Sequence, residues 1–392
     1  MHVAVDGPGS SLNARWKTWG WFAALLQWRD RLLGDPNFQR RALRVPVVRW
    51  IARRRMRALF DLCSGFVYSQ VLLACTRLGL LQILARSPHS AAELAEILQL
   101  PRASLERLLE AAESLQLVET RDRGRIGLGT LGVALLGNPS VGMMIEHHSA
   151  FYADLSDPLA LMRGELDGTE LGRFWAYSQT SSPASLGPEQ VCDYSRLMAA
   201  SQQLIAEQVL AAYPLRRHAR LLDVGGGEGA FAAAAMRAAP HLSACVFDLP
   251  PVCARALARF DREGLGDRAG TCGGDFLNDP LPMGFDLISL VRVLHDQDDE
   301  QALELLRSVR RSLGSRGVIL IAEPMLDTRG AEPVGAAYFG FYLMAMGQGR
   351  ARPAAEIRSM LESAGFTAVK SHRTAAPLLV RVLSARPGTD AG

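Results

Sequence analysis

The most informative motif of this chain is Leu221-Leu-Asp-Val-Gly-Gly-Gly-Glu-Gly229. An apolar run ends at Asp223, passes through a glycine-rich turn and enters the helix-prone segment Ala230–Met236. A strand that turns through glycines into a helix N-terminus lets a nucleotide-type cofactor approach the backbone closely. The stretch therefore predicts a cofactor loop at the first strand of a sheet.

Strands and helices alternate from residue 220 onward. The predicted strands are Arg220–Val224, Ser243–Phe247, Ala269–Cys272, Asp286–Val291, Val318–Ala322, Phe366–Arg373 and Leu378–Ser384. This alternation predicts an α/β fold with a mostly parallel, doubly wound, Rossmann-like sheet over residues 201–392. Ligands of such sheets lie at the carboxyl ends of the strands, near the point where strand order reverses.

The part of the chain before this sheet predicts a winged helix. A long apolar helix over Gln70–Leu84 precedes a helix that starts at the N-cap Ser90 and another over Arg102–Leu115. Two short apolar runs joined by Asp122–Gly124 predict a β-hairpin. We assign residues 61–200 to this domain, with a further helix over Val191–Tyr213 leading into the sheet.

Winged helices commonly bind DNA, but this one carries acids where DNA would lie. Glu106, Glu110 and Glu113 accompany Arg102 and Arg107 on the would-be recognition helix, and those acids would repel phosphates. We therefore expect no nucleic acid partner. The domain is predicted to make a homodimer and to cover a substrate site.

Residues 1–60 form a Trp/Arg-rich extension. They hold twelve Lys or Arg and three Asp or Glu, a balance of +9 in a chain whose net charge is +3. Short amphipathic helices are predicted over Trp19–Trp28 and Val45–Leu59. Two interpretations stay open: contact with an anionic membrane surface, or packing on the body or on a partner subunit.

Hydropathy and the cysteine pattern limit the cellular location and the kinds of site that this chain can have. We find no apolar run near the ~18–20 residues of a membrane span and no signal-peptide pattern. The six cysteines are scattered without a Cys-x-x-Cys or Cys/His cluster, so neither a metal site nor a disulfide framework is predicted. We expect a cytoplasmic enzyme, with peripheral contact at the inner or photosynthetic membrane as the open alternative.

The glycine loop alone does not identify its cofactor. The pattern Gly225-x-Gly227-x-x-Ala230 fits the dinucleotide fingerprint, so NAD and S-adenosylmethionine (SAM) both satisfy it. Asp248 follows the second strand, where one carboxylate can accept from two ribose hydroxyls. Leu249, beside it, is assigned to the same site.

Two further acids favour SAM over NAD. Asp223, at the end of the first strand, suits the ammonium of a methionine moiety and would repel a pyrophosphate. Asp275, after the third strand, is placed to accept from the adenine amino group, and Phe276 to pack on its ring. Arg292, just past the fourth strand, completes the predicted cofactor site.

His295 follows the fourth predicted strand, at the rim where cofactor and substrate would meet. A histidine titrates near neutral pH, so it can accept the proton of a hydroxyl group as that group is methylated. Glu323, at the end of the fifth strand, is the predicted partner that orients the ring. Asp296 is expected to cap the helix that starts near Asp298.

Two further segments are candidates for the substrate pocket. His147 and His148 are adjacent on a predicted helix, so at most one is expected to line the pocket. The aromatic and Met-rich segment Tyr338–Met346 fits either ordinary core or the wall of a large apolar pocket.

Taken together, the motifs resemble those of the SAM-dependent O-methyltransferases of the caffeate/hydroxyindole type. The resemblance is carried by Asp223–Gly229, Phe247–Pro250, Gly274–Phe276, Val293–Asp296 and Ala322–Pro324, and it covers residues 60–390. It implies a winged-helix dimerisation domain, a Rossmann-like catalytic domain, His295 as proton acceptor and Glu323 as a flanking carboxylate. Two positions depart from the family: Val291 stands where plant members have Lys, and Ala351 where they have a second Glu.

Within that family the chain resembles the bacterial carotenoid 1-hydroxyl O-methyltransferases of the hydroxyneurosporene/demethylspheroidene type. The segments that carry this likeness are Arg31–Pro36, Phe66–Cys75, Glu146–His148 and Ser289–Asp296. It implies an apolar polyene substrate with a tertiary hydroxyl, and a role in the carotenoid biosynthesis of photosynthesis. A bacteriochlorophyllide C-methyltransferase and a small-phenol O-methyltransferase are the alternatives. From other classes, a winged-helix transcription factor with a degenerate SAM domain and an NAD-dependent dehydrogenase stay open.

Overall fold

The structure, a computed structural model, describes residues 20–42, 44–175 and 188–388. The chain divides into two compact units, Met1–Ala74 and Cys75–Gly392. Of the helix predicted over Trp19–Trp28, the first residue lies outside the described residues.

The first unit is helical. It comprises α1 (Gly20–Gly34), α2 (Pro36–Ala42) and most of α3 (Pro46–Arg77). The helix predicted over Val45–Leu59 is thus only the first half of a 32-residue helix. The helix predicted over Gln70–Leu84 is wrong as one element: α3 ends at Arg77, Gly79 has a φ of +62°, and α4 (Leu80–Arg86) follows.

Helix α3 also corrects the expectation about membrane spans. Among the described residues it is the one helix long and apolar enough to cross a membrane by length and composition, with a mean hydropathy of 1.5 in its most apolar window. Only 11% of that window is buried. Core helices and signal sequences meet the same criterion, so the finding is weak evidence for a span.

The second unit begins with the predicted winged helix. Helix α5 (Ala91–Leu98) starts at a capping box, in which Glu93 N donates to Ser90 Oγ over 3.2 Å and Ser90 N donates to Glu93 Oε2 over 2.7 Å. Helix α6 (Arg102–Ser114) follows, and strands β1 (Val118–Thr120) and β2 (Ile126–Leu128) pair antiparallel. These elements confirm the predicted helix–helix–hairpin order.

Further helices connect this part to the sheet and pack on it. They are α7 (Thr130–Leu136), α8 (Pro139–Asp154), α9 (Pro158–Arg163), α10 (Glu170–Phe174), α11 (Pro188–Ala212), α12 (Ala230–Ala238), α13 (Pro250–Arg262), α14 (Asp299–Ser312), α15 (Phe339–Met346) and α16 (Ala354–Ser363). A π-helical turn, Val334–Tyr338, leads into α15, and a 3-10 turn covers Leu294–Asp296.

The described strands include a seven-stranded sheet. They are β3 (Arg220–Val224), β4 (Ser243–Asp248), β5 (Ala269–Gly273), β6 (Leu287–Val291), β7 (Val318–Glu323), β8 (Phe366–His372) and β9 (Arg381–Pro387). The spatial order is β5-β4-β3-β6-β7-β9-β8. All pairings up to β7 are parallel, and β9 pairs antiparallel with β7 and β8. The last strand starts at Arg381, three residues later than predicted.

Apolar cores cover both faces of the sheet. Every residue of β6 and β7 is buried, as expected for central strands with helices on both sides. Strand order reverses between β3 and β6, which lie side by side. The carboxyl ends of these two strands therefore form the crevice where a ligand of this fold would bind.

Candidate active site

A cavity of about 560 Å³ opens at the carboxyl ends of β3, β4 and β6. Its lining includes most of the residues predicted to bind the cofactor, namely Gly225, Gly227, Asp248, Leu249, Asp275, Phe276 and Arg292. The fold thus brings together side chains from segments up to 67 residues apart in the sequence, as the strand-end prediction required.

The turn after β3 requires glycine for two physical reasons. Gly225, Gly227 and Gly229 have φ values of +66°, +57° and +71°, in the left-handed region that favours glycine. Position 226 requires glycine because there is no room for a side chain: a Cβ there would lie 2.6 Å from Asp223 Oδ2. The backbone of this turn is therefore free of side chains where it faces the cavity.

Asp223 lies beneath the glycine turn, with an exposed fraction of only 1%. Its Oδ1 accepts from the Ser289 hydroxyl over 2.6 Å, whereas its Oδ2 has no hydrogen-bond partner. Burial raises the pKa of this carboxyl to about 7. An unpartnered buried acceptor is costly unless a donor reaches it. Asp223 is thus an acceptor prepared for a cationic or N–H donor beside the turn.

Asp248 ends β4 and faces the cavity. Its Oδ2 accepts from Gly227 N and its Oδ1 from Leu249 N, both over 2.8 Å. Burial raises the pKa of the carboxyl to about 6. The two backbone bonds fix the orientation of the carboxylate, and its remaining lone pairs can accept from a ligand.

Asp275 and Phe276 lie on the turn after β5. Both Asp275 oxygens accept within this turn, from Leu277 N over 3.0 Å and from Asn278 Nδ2 over 2.7 Å. The ring of Phe276 lies against the glycine turn, 3.6 Å from the position of a Cβ on Gly225. Asp275 therefore shapes its own turn in addition to facing the cavity.

Arg292 adopts an unusual backbone conformation directly after β6, with a φ of +59°. Its Nη1 donates to Ser201 Oγ over 2.7 Å, and its Nη2 lies 3.3 Å from Met198 Sδ. These contacts join the wall of the cavity to helix α11. A non-glycine residue held at positive φ is a local strain of the kind found at functional sites.

His295 lies between two carboxylates. Its Nδ1 is hydrogen-bonded to Glu323 Oε2, and its Nε2 lies 3.2 Å from Asp296 Oδ1. Burial opposes a charge on the ring, but the neighbouring Asp296 and Glu323 outweigh it, so the pKa of His295 is raised above its ordinary 6.5. The ring also lies edge-on to Phe339, with centroids 5.8 Å apart.

Glu323 supports more than the histidine ring. Its Oε1 accepts from Val293 N over 2.9 Å and from Leu294 N over 2.7 Å. One buried carboxylate thus fixes both the backbone that carries His295 and the Nδ1 side of its ring. A donor N–H at Nδ1 leaves the lone pair of the neutral ring on Nε2.

One expectation around this turn is wrong. Asp296 does not cap α14: Asp298 does so, in a capping box with Gln301, because Asp296 is committed to His295. The position of the missing second Glu, Ala351, is buried and apolar, and the residue after it bears on the site instead.

Arg352 has an exposed fraction of 2% and joins the segment before α16 to the His295 turn and to the start of α14. It donates to Leu294 O over 2.6 Å, to Gln297 O over 2.7 Å and to Asp299 Oδ1 over 2.8 Å. This contact was missed because the sequence gives no sign that residues 58 positions apart meet.

The two adjacent histidines of α8 both contact the aromatic segment. His147 Nε2 bonds Tyr342 OH and His148 Nε2 bonds Tyr338 OH, each over 2.8 Å. Both rings reach this segment because Tyr338 and Tyr342 are four residues apart and present their hydroxyls to α8. The expectation that at most one histidine lines the substrate pocket stays a prediction. Burial lowers the pKa of His147 to about 4.

Comparison with known proteins matches this chain to O-methyltransferases. The sequence profile of the O-methyltransferase domain matches residues 152–367, and that of the O-methyltransferase dimerisation domain matches residues 60–136. Demethylspheroidene O-methyltransferase of Cereibacter sphaeroides is 41% identical over 363 residues, 92% of this chain and 95% of that protein. Acetylserotonin O-methyltransferase of Mus musculus is 33% identical, covering 83% and 87%.

A solved structure agrees with these matches. Human N-acetylserotonin methyltransferase in complex with SAM superposes with a TM-score of 0.70 at 25% identity, over 86% of this chain and 98% of that one. The fold and the matches define an enzyme of the methyltransferase class. The chain belongs to the O-methyltransferase family, and the predicted combination of a dimerisation domain and a Rossmann-like catalytic domain is confirmed. This assignment displaces the dehydrogenase and transcription-factor hypotheses.

Proposed function

We propose that this enzyme transfers a methyl group from SAM to the tertiary 1-hydroxyl of an acyclic hydroxycarotenoid of the demethylspheroidene or hydroxyneurosporene type. The observation that carries the proposal is identity over nearly the whole chain, 41% and 40%, to two proteins named demethylspheroidene O-methyltransferase, from Cereibacter sphaeroides and Rhodobacter capsulatus. The other named relatives act on different hydroxyl substrates and are less similar.

The cavity residues fit SAM. The unpartnered Asp223 Oδ2 beside a side-chain-free glycine turn suits a methionine ammonium, and Asp248 with Leu249 suits the ribose. Asp275 and Phe276 would hold the adenine, and Arg292 also lines the cavity. When bound, SAM supplies a methyl group made electrophilic by its sulfonium sulfur.

The chain itself supplies the proton acceptor. Nε2 of His295 takes the hydroxyl proton as the oxygen becomes nucleophilic, and Glu323 stabilises the charge that then forms on the ring. A tertiary hydroxyl is a weak acid and is hindered, so the holding of the ring at Nδ1 and along the backbone matters as much as its basicity.

A substrate panel tests the proposal. The enzyme is incubated with labelled SAM and a 1-hydroxycarotenoid, a bacteriochlorophyllide or a small phenol, each in the same detergent. We expect label in the carotenoid well above the other two. Label in the phenol or the bacteriochlorophyllide alone would remove the carotenoid assignment.

Activity should fall in acid with a midpoint above pH 6.5. A protonated His295 has no lone pair to accept the hydroxyl proton, and its raised pKa places that loss higher than for a free histidine. The charge of Asp296 raises this pKa, so D296N should move the midpoint of kcat/KM to lower pH. An unmoved midpoint in D296N would count against His295 as the titrating base.

The glycine turn gives a second test in binding alone. G226A puts a Cβ 2.6 Å from Asp223 Oδ2, so the carboxylate must shift and SAM affinity should fall by about tenfold or more. G270A is the matched control, since a Cβ on Gly270 in β5 meets nothing within 4 Å. Calorimetric titration with SAM reads both; equal affinities would show that the turn does not bind it.

The proposal extends to assembly and location. The dimerisation domain supports self-association, and we infer a homodimer made through it. We also propose that the chain has three parts: the helical extension 1–60, the winged-helix dimerisation and substrate-covering domain 61–200, and the SAM-binding catalytic domain 201–392. A polyene substrate partitions into the bilayer, which favours a cytoplasmic enzyme working at the surface of the inner or photosynthetic membrane.

A further inference from the structure

The first half of α3 carries an unusual row of arginines. Arg49, Arg53 and Arg57 are spaced by four residues and so lie along one face of the helix. Between Asp35 and Asp61 the sequence holds eight arginines and no acid. Among the described residues, no salt bridge involves any of the three.

Large apolar side chains flank this row and lie in solvent. Val47, Trp50 and Leu59 have exposed fractions of 72%, 64% and 63%. The Arg54 guanidinium lies over the Trp50 ring, 5.9 Å from its centroid. A helix that pairs exposed apolar residues with arginines and an interfacial tryptophan is typical of segments that lie in the plane of a membrane surface.

This surface precedes the part of the chain that the family shares. The dimerisation profile starts at residue 60, after the arginine row. The match to the Cereibacter sphaeroides protein leaves only about 31 residues of this chain uncovered, so it includes residues 46–59 wherever it starts. The region matched to a relative named for a carotenoid substrate thus includes the arginine-rich half of α3.

We propose that residues 46–60 dock on an anionic lipid bilayer. The five arginines of this segment, with no acid among them, complement phosphatidylglycerol-type headgroups, and the exposed Val47, Trp50 and Leu59 enter the boundary below them. A nucleic acid would leave those apolar groups in water, and a second copy would bring the same cations against them. This docking rests on the proposed function in one respect, because a bilayer is where a polyene substrate resides. The binding of the surface to lipid does not itself require the substrate.

The test is sedimentation of the full-length enzyme with vesicles, without substrate. We expect binding to vesicles of phosphatidylcholine mixed with phosphatidylglycerol, and little to phosphatidylcholine alone. The triple variant R49Q/R53Q/R57Q should lower the partition coefficient on the order of 100-fold, as about 1 kcal/mol per arginine predicts. Raising salt from about 0.1 M to about 1 M should weaken wild-type binding similarly.

A matched variant separates this face from overall charge. R107Q/R262Q/R316Q removes three exposed arginines of the second unit, with the same change in net charge, and should bind vesicles as the wild type does. Equal loss in both triple variants, or equal binding to both vesicle types, would overturn the proposal. So would a change of oligomeric state in R49Q/R53Q/R57Q by light scattering, which would assign the face to a second copy.

Failure of the docking and failure of the carotenoid assignment give different results. With substrate dissolved in detergent micelles, R49Q/R53Q/R57Q should retain wild-type turnover while losing vesicle binding. Intact vesicle binding with no methylation of any hydroxycarotenoid would contradict the proposed function and leave the docking surface in place.

Discussion

Replacing His295 by alanine should lower kcat by about 10²–10⁴-fold and leave SAM affinity unchanged. The range is the usual contribution of a positioned general base. SAM affinity should hold because the residues assigned to SAM lie on the glycine turn and the strand ends beside it, whereas the His295 ring is buried between Asp296 and Glu323.

The measurement is steady-state turnover paired with calorimetric titration of SAM. H241A is the control, since His241 is exposed and precedes the amino end of β4, whereas the site lies at the carboxyl ends of the strands. Turnover in H295A equal to that of H241A would show that the hydroxyl loses its proton elsewhere.

E323Q should reduce kcat almost as much as H295A. The amide can keep one oxygen facing Val293 N and Leu294 N, but its NH₂ group then faces Nδ1 of His295. That contact favours the tautomer with its proton on Nε2, where the lone pair is needed; in the serine proteases the corresponding Asp-to-Asn change costs about 10⁴-fold in kcat. We expect a loss of about 10²–10⁴-fold by the same reasoning.

The double variant distinguishes this role from a purely structural one. If Glu323 acts through His295, then H295A/E323Q should be no slower than H295A alone, because groups that act as a unit are not additive. Multiplying losses in the double variant would mean that Glu323 acts independently of the ring. Urea unfolding of E323Q shows whether lower stability contributes to the loss of activity. We expect the free energy of unfolding to fall by about 1–3 kcal/mol.

The sheet could be predicted from the sequence because its strands are apolar runs bounded by turns. Strands β3 to β7 lie within a residue of their predicted bounds. The last strand was placed early because the apolar residues Leu378–Val380 belong to the turn before it, where Val380 O accepts from Thr374 Oγ1 over 2.8 Å. The helix predicted over Gln70–Leu84 failed because one glycine, Gly79, outweighed a continuous apolar pattern.

The site could be predicted as a set of strand ends, but its contacts could not. The bond from Ser289 to Asp223 depends on β6 lying beside β3, an order that alternation alone does not specify. The local sequence is equally compatible with Asp296 capping the next helix and with Asp296 contacting His295, and only the structure distinguishes the two. The buried contacts of Arg352 with Leu294 O and Gln297 O join residues more than fifty positions apart, and no sequence motif indicates such a contact.

The position of the transferred methyl group shows which atom of the substrate attacks SAM. The wild-type enzyme is incubated with SAM carrying a ¹³C-methyl group and a 1-hydroxycarotenoid, and the product is examined by NMR. We expect a single labelled methoxy carbon on the tertiary oxygen, formed in wild type and nearly absent in H295A. A label bound to carbon, or a methoxy product formed equally fast in H295A, would contradict this expectation.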